Sequence, residues 1–168
     1  MQRIIILGYG NVDRQDDGIA WHVLCALAAR LGRPIPDVPG EGFEAAGLNP
    51  DLVFIPQLVP EMSETLAEYD LACFIDAHTG NIAAELAFEE IQGSYKSAPF
   101  THHLTPQTCL SLAGTLFGHQ PHSFLATVRG YEFQFTPTLS PRSSTLASQA
   151  AGLIWDWLTQ LQTESNPL

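Results

Sequence analysis

Three side chains are of the kinds that bind a divalent metal and fall where loops meet regular structure: Asp17, Asp76 and His102. Two carboxylates and an imidazole make an O,O,N donor set suited to a borderline ion such as nickel or zinc. Each aspartate also has a plain structural reading. Asp17 stands where a carboxylate would meet the free N–H groups at the start of a helix, and Asp76 where a turn would end a strand. His78, two residues past Asp76, competes as a ligand but reads as a loop residue, and Asp13 and Asp16 share the acidic loop of Asp17. His22 falls on the outer side of a helix, His119 and His122 in a turn, so these three read as solvated.

Other chemistries find less support. Cys25, Cys73 and Cys109 are widely spaced, each inside an apolar stretch, which suits buried thiols in a reducing compartment. There is no G-x-S-x-G, and no serine or cysteine stands in a strand-to-helix turn that would activate it. The stretch Gly8-Tyr9-Gly10-Asn11-Val12-Asp13 invites a dinucleotide reading. It lacks the third glycine, however, and carries aspartates where a pyrophosphate needs bare amides.

The elements that must position these residues follow from apolar periodicity. Ile4–Leu7 reads as a buried strand, with Gly8 and Gly10 letting the chain turn sharply as it leaves. Ala20, Val23, Leu24, Leu27, Ala28 and Leu31 recur at helical spacing up to Gly32 and Pro34. Leu52–Ile55 and Leu71–Ile75 read as strands flanking a helix over Glu61–Tyr69, and Asp76 ends the second of them. Leu86–Ile91 suits a half-exposed edge strand. Thr105-Pro106 opens a helix ended by Gly118, Phe124–Val128 is a further strand, Tyr131–Phe135 alternates, and Ser140-Pro141 opens a last helix.

This alternation predicts an α/β fold: one domain over residues 1–168, a three-layer sandwich with a mostly parallel twisted sheet of about five strands and helices on both faces. Sites in such sheets lie beyond the carboxyl ends of the strands, the edge to which Asp17 and Asp76 are both assigned. A loop reaching that edge would bring His102 to them. The 168 residues, 45% of them hydrophobic, suffice for one substantial core. A net charge of −11, with Lys96 the only lysine, argues against nucleic acid or an anionic membrane as a partner. No apolar run has the length of a signal or membrane-spanning segment, so a cytoplasmic location is expected.

Taken together, several stretches resemble one family. G-Y-G-N-V-D-R-Q-D-D-G at Gly8–Gly18 is similar to the N-terminal signature of the NiFe-hydrogenase maturation endopeptidases, which remove a C-terminal peptide from the hydrogenase large subunit. F-I-D-A at Phe74–Ala77, H-H-L-T-P at His102–Pro106 and Y-E-F-Q-F-T-P-T-L-S-P at Tyr131–Pro141 agree in order. Around Asp51–Glu61 the chain departs from the glycine-rich turn of many relatives. The resemblance implies metal-binding and catalytic roles for Asp17, Asp76 and His102, with His103 the neighbouring alternative. It also implies nickel carried by the substrate and a large-subunit precursor as partner; a monomer is expected. Two other readings use the same residues: an autonomous metal-dependent amide hydrolase, and a checkpoint that binds the immature subunit without cutting it.

Overall fold

The computed structural model describes residues 1–95 and 104–166. Strand β1 (Ile4–Tyr9) is followed by a single 3-10 turn (Gln15–Gly18) and helix α1 (Ile19–Arg30). Then come β2 (Asp51–Ile55), α2 (Met62–Leu66), β3 (Leu71–His78), β4 (Leu86–Ile91), α3 (Pro106–Phe117), β5 (His122–Arg129) and α4 (Pro141–Glu164). The strands form one sheet in the order β2-β1-β3-β5-β4, all parallel except β4, which runs antiparallel to β5.

Strand alternation divides the core in two. Ile6, Leu52, Phe54, Cys73, Ile75, Ala126 and Val128 face α1 and α4, whereas Ile5, Leu7, Val53, Ala72 and Phe74 face Leu66 of α2 and Cys109, Leu110 and Ala113 of α3. Because successive side chains of a strand point to opposite faces, a strand buried on both sides must be apolar throughout, as β1 is. The expected three-layer α/β sandwich is therefore observed, with α1 and α4 on one face and α2 and α3 on the other.

Several boundaries differ from expectation. β1 continues through Gly8 to Tyr9, and the role of Gly8 is close approach: a Cβ there would lie 2.9 Å from the Ala20 Cβ. The turn belongs to Gly10, at φ +143°, where a Cβ would meet the Asp17 carbonyl oxygen at 2.1 Å. β3 does not end at Asp76. It runs on to His78 because β5 pairs with it throughout, Asp76 opposite Thr127 and His78 opposite Arg129, after β1 has left the sheet. Regular α2 is confined to Met62–Leu66. The alternating Tyr131–Phe135 forms no strand; it belongs to an irregular strap whose Thr136 makes one isolated bridge with Arg14. Thr105 caps α3 as expected, its Oγ1 accepting from the Thr108 N–H at 3.1 Å, and Gly118 closes that helix at φ +73°. Ser140 precedes α4, but its hydroxyl is used elsewhere.

Candidate functional site

The chain leaves β1 for β2 in one direction across the sheet and reaches β3 on the other side, so a crevice opens between the carboxyl ends of β1 and β3, the switch point at which ligands bind in such sheets. A cleft of about 920 Å³ occupies that position. Tyr9, Asn11, Asp17 and Asp76 line it, together with Gln57 after β2 and Leu104–Pro106 at the start of α3.

Asp76 arrives there by strand parity. It shares the α3 face with Ala72 and Phe74, and on β1 the same parity puts Tyr9 on that face with Ile5 and Leu7. Burial pushes the Asp76 carboxyl up to about 6; the Tyr9 side chain restrains the rise, and the Asp17 carboxylate adds to it. The Tyr9 hydroxyl is raised in turn, by burial and by the charge of Asp76. Such a carboxyl holds a proton in mildly acidic solution.

Asp17 arrives by a tight loop. Its carboxylate accepts from the Asn11 N–H at 2.9 Å and is half-buried in the 3-10 turn one residue short of the Gly18 N-cap of α1. It therefore braces its own loop and does not cap the helix. Asp13 lines the cleft rim. Asp16 does not belong to the site: it is fully buried and turned into a cage of donors from Tyr131, Glu132, Ser140 and Ser143.

Several solved structures share this fold. The NiFe-hydrogenase maturation protease HycI from Thermococcus kodakarensis KOD1 superposes with a TM-score of 0.65 at 21% identity, covering 94% of this chain and 93% of that one. The hydrogenase maturating endopeptidase HybD from Escherichia coli gives 0.60 at 20% identity over 94% and 93%. A hydrogenase 2 maturation peptidase from a Thaumarchaeota archaeon gives 0.58 at 16% over 94% and 99%. The fold is that of the hydrogenase maturation proteases. No protein-family model and no curated protein matches the sequence.

Within this maturation-protease fold the remaining histidines can be placed. His78 is buried in β3: its Nδ1 accepts from the Gly80 N–H at 3.1 Å and its Nε2 lies 3.0 Å from the Ala84 carbonyl, so both ring nitrogens are engaged. It is a structural histidine and not the loop residue expected. His22 is half-buried, its Nε2 3.1 Å from the Pro137 carbonyl, and burial lowers its pKa. His119 and His122 are exposed, though each has a partner, the Tyr69 carbonyl and Glu90. His102 and His103 lie outside the described residues, which resume at the cleft-lining Leu104–Pro106. Among the described residues no three His, Cys, Asp or Glu side chains gather as a metal cluster. Cys73 and Cys109 are buried and Cys25 is half-buried; all are free, and burial raises each thiol, Cys25 and Cys109 to about 11. None is a poised nucleophile.

Sequence reasoning passed over Tyr9 and the donors that surround Asp16. Tyr9 was legible in principle, since a tyrosine two residues past Leu7 must share its face. The partners of Asp16 carried no local signal, because they lie 115 to 127 positions away.

Proposed function

We propose that this chain is an endopeptidase that removes the C-terminal extension of a NiFe-hydrogenase large-subunit precursor, guided by nickel already seated in that substrate. Asp17, Asp76 and His102 engage the nickel and so place the scissile peptide over the cleft. The observation that carries this reading is the convergence of Asp17 and Asp76 on one switch-point cleft, in a fold shared with maturation proteases. Two carboxylates that repel one another across a half-buried cleft gain a stabilising partner when a cation comes between them.

The chemistry is hydrolysis. A water oxygen bonds to the scissile carbonyl carbon, the C–N bond breaks, and the water protons are divided between the new carboxyl and amino ends. The substrate's nickel polarises the carbonyl or the water, so the chain needs no nucleophile of its own, in keeping with its three unactivated thiols. The enzyme works in the cytoplasm as a monomer.

The test compares nickel-loaded and nickel-free precursor, each mixed with this protein under chelation mild enough to spare the seated metal. Cleavage of the loaded form alone is expected. Equal cleavage of both would return the site to an autonomous metallohydrolase, and binding without cleavage of the loaded form to a checkpoint.

A further inference from the structure

The Asp16 carboxylate accepts five hydrogen bonds. Its Oδ2 takes the Tyr131 and Glu132 N–H groups at 2.8 and 2.9 Å and the Ser140 and Ser143 hydroxyls at 2.6 and 2.8 Å, while Oδ1 takes the Ser140 N–H at 2.8 Å. No solvent reaches it. Every donor comes from the strap between β5 and α4 or from the first turn of α4, and the Asp16 N–H returns a bond to the Glu132 carbonyl at 3.1 Å. A buried carboxylate with this many donors is among the stiffest anchors a loop can have.

The anchor fixes a strained backbone. Gln15 has φ +51°, the only positive φ among the described non-glycine residues. Such a conformation persists only where the surroundings over-determine it. Here they do: the Gln15 N–H donates to the Thr136 carbonyl at 2.9 Å and its side-chain oxygen accepts from the Gln134 N–H at 3.1 Å. Asp17 follows directly, its N–H bonded to the Arg14 carbonyl and its carbonyl packed against Gly10. By contrast, the Asp17 carboxylate has one bond from the described residues, the Asn11 N–H.

We propose that Asp16 is a positioning residue: by clamping the Gln15–Gly18 turn to the strap and the start of α4, it sets where the Asp17 carboxylate stands in the cleft. This rests on the reading of Asp17 as a metal-engaging residue. Pre-organisation of this kind lets a weakly held ligand meet a metal without first ordering its loop.

Asp51 supplies a matched control. It is 1% exposed, accepts from the Tyr69 hydroxyl at 2.6 Å and from the Ala46 and Leu48 N–H groups, and begins β2 at the opposite edge of the sheet. Nickel chloride is titrated into the folded protein while paramagnetic broadening of the Gly10 and Asn11 amides is followed by NMR, at a temperature where each variant is shown to be folded. Asp17→Asn should abolish the broadening. Asp16→Asn should raise the midpoint tenfold or more, whereas Asp51→Asn, despite comparable loss of stability, should stay within twofold of wild type. If Asp16→Asn does not fold, Ser143→Ala removes one donor of the five and should raise the midpoint two- to fivefold. Equal shifts in the Asp16 and Asp51 variants, or an unshifted midpoint in Asp16→Asn or Ser143→Ala, overturn the positioning role. A wild type whose Gly10 and Asn11 amides never broaden overturns the positioning role toward metal, whereas the metal reading of Asp17 itself stands or falls with cleavage of the nickel-loaded precursor.

Discussion

At the scale of single residues, three aspartates of this chain are shifted in two opposite directions, and burial alone does not distinguish them. Asp16 and Asp51 are buried, which by itself would raise their pKa, but the Ser140, Glu132 and Tyr131 bonds to Asp16, and those of Tyr69, Ala46 and Leu48 to Asp51, outweigh it and hold both below the ordinary value. Asp76 lacks such a cage and is shifted up to about 6. The signs follow. Asp16 and Asp51 contribute stability above pH ~4 that is lost in acid, whereas Asp76 favours the fold when protonated, and its contribution declines as pH rises from about 4 to 6. Urea denaturation should therefore find Asp76→Asn more stable than wild type by about 1–3 kcal/mol at neutral pH, at ~1.4 kcal/mol per pKa unit. That advantage should shrink towards pH ~4. Asp16→Ala should cost about 3 kcal/mol or more, because it leaves buried donors without an acceptor.

At the scale of elements, glycine separates structure from site. Gly152 lies inside α4, where a Cβ would meet nothing nearer than the Arg30 guanidinium at 3.9 Å, and Gly152→Ala should raise stability by about 0.5–1 kcal/mol in thermal or urea unfolding. Gly10→Ala should instead destabilise by about 2 kcal/mol or more and displace Asp17, since φ and space both forbid a side chain. The helices and parallel strands were legible because burial on one or two faces writes itself into periodicity: Leu24 and Leu27 of α1, or Phe74 and Ile75 of β3, admit few other readings. What misled was local. The alternation of Tyr131, Phe133 and Phe135 has the period of a strand, yet the strap's donors at Tyr131 and Glu132 turn to a carboxylate 115 residues away, and no ladder forms. Asp76 resembled a strand end because the tract turns polar there, whereas the length of β3 is set by β5, invisible at that point of the chain.

At the scale of the whole molecule, a net charge of −11 is spread over a small fold, with Glu89 and Glu90 exposed on the edge strand β4, where charge discourages pairing with a second copy. Self-repulsion at this charge should make thermal stability rise by a few degrees as sodium chloride increases from about 0.02 to 0.5 M, measured by calorimetry at neutral pH. No helix among the described residues is long and apolar enough to cross a membrane; α4, the longest, keeps Leu146, Ala150, Ile154, Trp157 and Leu158 for the core. The clamp on Asp16 also has a consequence in time. A ribosome delivers the Asp17 loop well before its clamp, since each donor to the Asp16 carboxylate lies between Tyr131 and Ser143. A nascent chain that already carries β1, α1 and β3 thus still lacks the Asp16 cage, and the loop that carries Asp17 is clamped only after the strap and the first turn of α4 have been made.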